Sequence, residues 1–172
     1  MEKTNEKYKA YVQILKEELL PAMGCTEPIA LAYAAAIARK TLGTIPDRVV
    51  IGASGSIIKN VKSVIVPNTG HLKGIPAAVT AGIIAGRPEK ELEVIAKVTP
   101  KQAAQMKEFM EHTDIIVEHV DHGATFDIMI TLYKGSSYAK VRIAVYHTNI
   151  VLIEKDGSIL RQVEVKGEAE AG

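Results

Sequence analysis

The chain has 172 residues, 47% of them hydrophobic, which is the length of one domain and enough to bury a sizeable core, so disorder is excluded as its main state. Twenty-one Lys and Arg against twenty Asp and Glu leave a formal charge of +1, so no global field exists to hold nucleic acid or an anionic membrane surface. Six Tyr, two Phe and no Trp supply few platforms for stacked bases.

The chain opens on Met1-Glu2-Lys3-Thr4-Asn5-Glu6-Lys7, which is polar and lacks the apolar core of a secretory signal. Tyr8, Tyr11, Val12, Leu15 and Leu19 then fall at helical spacing, which predicts an amphipathic helix from about Thr4 to Leu20, ended by Pro21. The single cysteine, Cys25, excludes an intramolecular disulfide and points to a reducing compartment, so the cytoplasm is the expected location. It stands in Gly24-Cys25-Thr26-Glu27-Pro28, just before an Ala-rich run from Ile29 to Lys40 that reads as a helix buried on most faces. A helix start favours a thiolate and suits a reactive or metal-binding sulfur. A small apolar residue filling a pocket fits the position equally well.

Arg48 to Ile51 reads as a short β-branched strand, and Ser54-Gly55-Ser56 as a loop after it. With Lys59 and Asn60, this stretch offers hydroxyls, flexible backbone, a cation and an amide, a combination that can hold a carboxylate or phosphate; a plain Gly-rich connection is the alternative. Asn68-Thr69-Gly70-His71 reads in the same two ways. Gly70 serves a turn there, and His71 is a base or a surface residue.

From Ile75 to about Ala85 small residues predict a helix packed closely by its backbone. Neither of the uncharged stretches, Pro28–Ala38 and Gly74–Gly86, reaches the roughly 20 residues that span a bilayer. Thr99-Pro100-Lys101-Gln102 has the spacing of a capping box, with Ala103, Met106 and Met110 on one face of the helix that follows.

From Asp114 the period changes to two. Phe126, Ile128, Ile130 and Leu132 alternate with Asp127, Met129, Thr131 and Tyr133; Ala139, Val141, Ile143 and Val145 alternate with Lys140, Arg142, Ala144 and Tyr146; Gly135-Ser136-Ser137 turns between them. A strand from Ile150 to Glu154 meets Asp156-Gly157, a strong tight-hairpin signal, before Ile159 to Val165. His119-Val120-Asp121-His122 lacks the spacing of zinc motifs and reads more readily as an exposed polar turn than as a metal site. Tyr146-His147-Thr148-Asn149 stands at a strand break, lining a pocket or making the turn. The expected architecture is a single α+β domain over residues 1–165, with helices packed on one face of a mostly antiparallel sheet and a frayed tail at 166–172.

The run Pro21-Ala22-Met23-Gly24-Cys25-Thr26-Glu27-Pro28-Ile29-Ala30, followed by an Ala-rich helix, resembles the start of the L-cysteine desulfidase family, which is related to the iron–sulfur L-serine dehydratases. The likeness continues through Ser54, Gly55, Lys59-Asn60, Val66-Pro67-Asn68-Thr69-Gly70, Gly74 and His147-Thr148-Asn149. It implies a fold like the β domain of serine dehydratases and a ligand role for Cys25 on a [4Fe–4S] cluster shared with cysteines of a C-terminal domain. This sequence lacks those cysteines, so the cluster is expected in the complete enzyme and not in this chain alone, which by itself is expected to be incomplete and inactive. The implied reaction is α,β-elimination of L-cysteine to pyruvate, ammonia and sulfide, or of L-serine to pyruvate and ammonia. The resemblance places the substrate carboxylate near Ser54, Ser56, Lys59 and Asn60, with Asn68, Thr69 and His147 as second candidates, and identifies no base. The expected partners are a small L-amino acid and a C-terminal cluster-binding domain in cis or in trans, with homo-oligomerisation left open. The contrasting reading is a non-catalytic amino-acid-binding or assembly module.

Overall fold

The computed structural model describes residues 26–62, 64, 66, 72–121, 123–145 and 149–164. The expected helix from Thr4 to Leu20 and the tail at 166–172 lie outside them.

Helix α1, Thr26–Leu42, forms where the Ala-rich run was expected. It ends at Gly43, whose φ of +88° places it in the left-handed region that favours glycine. The Gly43 N–H there donates to the Arg39 carbonyl at 2.9 Å. Strand β1, Arg48–Ala53, follows, and helix α2, Gly55–Val61, leaves it directly. Sequence expected a loop at Ser54-Gly55-Ser56; instead Ser54 is the extended residue at the helix start, and its carbonyl accepts the Ile58 N–H at 3.0 Å. Helix α3, Gly74–Ala85, and a 3-10 turn, Pro88–Glu93, lead to helix α4, Pro100–His112. Both bonds of the expected capping box are present, Gln102 N–H to Thr99 Oγ1 at 3.1 Å and Thr99 N–H to Gln102 Oε1 at 3.0 Å.

Strands β2, Asp114–His119, β3, Asp127–Lys134, β4, Ser137–Ala144, β5, Ile150–Lys155, and β6, Ser158–Gln162, complete an α+β fold. The sheet runs in the order β2-β1-β3-β4-β5-β6. The last four strands form the expected antiparallel meander, whereas β1 sits between β2 and β3, parallel to the first and antiparallel to the second. Val49, Ile51 and Ala53 of β1, Ile128, Ile130 and Leu132 of β3, and Ala139, Val141 and Ile143 of β4 are all fully buried under the helices. This is the period-two signal of a half-buried antiparallel sheet.

Helix α1 lies over β3, β4 and β5 and is itself covered by α3 and the 3-10 turn, so Ala30 to Ala36 are buried. Its run of alanines follows from having protein on nearly every side. Helix α3 meets it at backbone distance, and α4 packs on α3 through buried Met106 and Phe109. Among the described residues no helix is long and apolar enough to cross a membrane. The two uncharged stretches are core helices.

Candidate functional site

Residues 43–47 turn the chain from α1 into β1, so the helix runs back along the strand and starts near the end of the sheet where β1 finishes. Helix α3 is parallel to α1, since Gly82 faces Ala32 and Gly86 faces Ala36. Two long helices therefore direct their N-termini to one end of the sheet, where their partial positive charges favour an anionic group. Strands β1, β2 and β4 finish at the same end, and β3 and β5 begin there.

Six residues singled out from sequence, Cys25, Asn68, Thr69, His71, His122 and His147, lie outside the described residues. Each falls in the chain close to an element that starts or stops at this sheet end. Backbone hydrogen bonds join described residues at this end of the sheet. Val66 N–H donates to Leu72 O at 2.8 Å, Gly74 N–H to Val64 O at 3.0 Å, and Ala144 N–H to Asn149 O at 3.3 Å.

Ser54 and Ser56 are brought together here, and both hydroxyls are already engaged. Ser54 Oγ donates to the Thr125 carbonyl at 2.6 Å and Ser56 Oγ to the same oxygen at 2.7 Å. Ser54 Oγ also accepts the Asp127 N–H at 3.3 Å, and Ser54 N–H donates to Asp127 O at 2.9 Å. The pair thus fastens the β2–β3 connection to the end of β1. Lys59 and Asn60 are exposed one turn further along α2.

His119, exposed at the end of β2, brings its Nε2 to 3.3 Å from the point where a Cβ on Gly55 would stand. The chain then turns through Val120, whose N–H donates to Ala53 O at 2.9 Å, and Asp121, whose Oδ1 accepts from Gly123 N–H at 3.4 Å. Of His119-Val120-Asp121-His122, His119 closes β2 and Val120 and Asp121 lead away from it, and no group of three His, Cys, Asp or Glu able to hold a metal occurs among the described residues.

The sequence reading missed the most buried charge. Asp127, assigned by alternation to the outer face, has a side chain only 1% exposed and is held by Arg142 in a two-pronged pair: Nε to Oδ1 at 2.9 Å and Nη2 to Oδ2 at 2.7 Å. A signal was present. The turn at Gly135-Ser136 sets Asp127 opposite Ala144 and Met129 opposite Arg142, so the two charges are diagonal neighbours on one face. Next to this pair Val145 has a φ of +77°, a conformation β-branched residues rarely adopt. Its N–H donates to Phe126 O at 2.9 Å, and the Asn149 side-chain amide donates to Ala144 O at 2.8 Å. Strain of this kind persists only where its surroundings fix it, and it clusters at functional sites.

The fold and this sheet end together define an α+β protein with polar side chains at one end of the sheet over an apolar core. Over nearly its whole length the chain is similar to a UPF0597 protein of Desulfitobacterium hafniense, 58% identical over 160 residues that cover 93% of this chain and 37% of the relative. It is similar also to a UPF0597 protein of Treponema denticola, 45% identical over 96% of this chain and 38% of the relative. A third relative, from Vibrio parahaemolyticus, is 38% identical over 91% of this chain and 37% of its own length. The name they share states no activity, and the chain spans little more than a third of their length. No family model and no solved structure matches the chain.

Proposed function

We propose that this chain is the N-terminal part of a cytoplasmic iron–sulfur amino-acid lyase that eliminates sulfide from L-cysteine, or water from L-serine, to give pyruvate and ammonia. The observation that supports the reading most is the convergence of the two parallel helix starts on the sheet end fixed by Ser54, Ser56 and Thr125, because described residues that carry the resemblance, among them Thr26, Ser54, Gly55 and Gly74, stand at the ends of elements meeting there. A small amino acid carries a carboxylate that such helix starts would accept.

The cluster itself does not fit this chain alone. Cys25 is its single thiol, whereas such clusters usually take four Cys ligands. The other ligands have to come from a further part of the polypeptide, in keeping with the greater length of the relatives. The role proposed for this chain's own residues is to bind and orient the amino acid. With Ser54 and Ser56 committed to Thr125, the groups left to meet a carboxylate are the exposed Lys59 and Asn60 and residues outside the described set, Asn68, Thr69 and His147.

Anaerobic reconstitution with iron and sulfide, followed by assays of pyruvate and sulfide release, tests the reading on the 172-residue chain and on the chain joined to the longer relatives' additional part. The expected result is a stable cluster and turnover only in the joined form, with both abolished by Cys25→Ala. Turnover by this chain alone would sink the shared-site reading. Calorimetric binding of L-serine with no turnover in either form would favour a non-catalytic amino-acid-binding module.

A further inference from the structure

Strand β4 ends at Ala144 and β5 begins at Ile150, and three features set their junction apart from a plain hairpin. Arg142 pairs with Leu152 but Ile143 with Ile150, which leaves Val151 as the extra residue of a bulge, a feature enriched beside functional sites. Val145 has a φ of +77°, which glycine adopts freely and a β-branched residue only at a cost. The other two hairpins of the meander place a glycine at such an angle, Gly135 at +60° and Gly157 at +90°. Asn149 holds Ala144 from both sides, its side-chain amide donating to Ala144 O at 2.8 Å and its carbonyl accepting the Ala144 N–H at 3.3 Å. The 144–145 peptide is then held at both ends, because its own N–H, that of Val145, donates to Phe126 O at 2.9 Å. With valine at 145, the positive φ leans on these bonds.

We propose that Asn149 is a positioning residue of the amino-acid site. By pinning the 144–145 peptide against Phe126 it sets the direction in which the connection bearing His147 leaves the sheet end. This role rests on the proposed function, which counts His147 among the groups left to meet a carboxylate. The Asn149 amide acts through the backbone and not on the amino acid, because its nitrogen is engaged by Ala144 O. Its effect on binding is therefore tied to the strain at Val145: where the positive φ carries no cost, the clamp has little left to do.

The experiment is a double-substitution cycle read by calorimetric titration with L-serine, on the 172-residue chain and on its joined form, with the melting temperature of each variant measured alongside. Asn149→Ala should weaken binding roughly tenfold, about what the loss of one hydrogen bond allows. Made together with Val145→Gly, the same substitution should leave affinity within about threefold of Val145→Gly alone. A merely structural clamp would move the melting temperatures and not the affinities. Equal affinity of the unsubstituted chain and Asn149→Ala would overturn the positioning role. So would a loss that persists undiminished beside Val145→Gly, which would make Asn149 a direct contact of the amino acid. Failure of the unsubstituted chain to bind L-serine in either form would instead remove the proposed function, and this role with it. Should Asn149→Ala melt too low to assay, Val145→Gly and the double variant are compared, and a gap of about tenfold between them overturns the role in the same way.

Discussion

Gly82 of α3 lies so close to Ala32 of α1 that a Cβ on the glycine would stand 2.1 Å from the Ala32 carbonyl oxygen. That oxygen belongs to a buried helix and cannot swing aside, so the substitution has to part the two helices whose starts frame the sheet end. Gly82→Ala is expected to cost about 3 kcal/mol, at the upper end of overpacking effects. Urea unfolding would check this, and an unchanged midpoint would mean that the helices are not in backbone contact.

The buried pair of Asp127 and Arg142 gives a second expectation. Arg142→Leu leaves a carboxylate almost sealed from water with no cation beside it, a defect worth about 3–5 kcal/mol. Adding Asp127→Asn removes the orphaned charge and should recover part of the loss. If the double variant were no more stable than the single one, the coupling seen in the geometry would be energetically empty.

Thr80 in α3 is fully buried, and its hydroxyl has no hydrogen-bond partner. Burying such a group without a partner costs about 1–3 kcal/mol. Thr80→Val keeps the shape and removes the polar atom, so it should leave stability unchanged or raise it by about 1 kcal/mol. A clear fall in the melting temperature would point to a partner for this hydroxyl.

At the β5–β6 turn, Asp156 is held down to a pKa of about 2 by the Lys155 ammonium, the Tyr138 N–H and the Ser137 hydroxyl. The Lys155 Nζ lies 2.9 Å from Oδ2, and Tyr138 N and Ser137 Oγ each lie 2.8 Å from Oδ1. A depressed carboxyl pKa stabilises the fold above the unfolded value of about 3.9, and the gain is lost as pH falls toward the folded value of about 2. An NMR titration of the Asp156 side chain should therefore have its midpoint near pH 2. In Asp156→Asn the turn should survive, because Asn tolerates the φ of +50° found there, while this acid-dependent contribution disappears. A midpoint near pH 4, the ordinary carboxylate range, would show that the three donors do not hold the group in solution.

The features legible in the sequence depend on neighbours a few positions away. The capping box of Thr99 and Gln102 spans three residues, and Asp156-Gly157 turns β5 into β6 with both φ angles positive. Period-two alternation likewise marked the buried face of β3 and β4 before any partner was known. Tertiary structure alone decided what long loops bring together. It inserted β1 between β2 and β3, and it spent the hydroxyls of Ser54 and Ser56 on a carbonyl 71 and 69 residues away. It also turned Asp127 from an outer-face residue into a buried partner of Arg142. A side chain's local pattern states which face of its strand it occupies, but not what the rest of the chain lays against that face. Water or a guanidinium then sets whether the same aspartate is a solvated surface charge or the anchor of a sheet end.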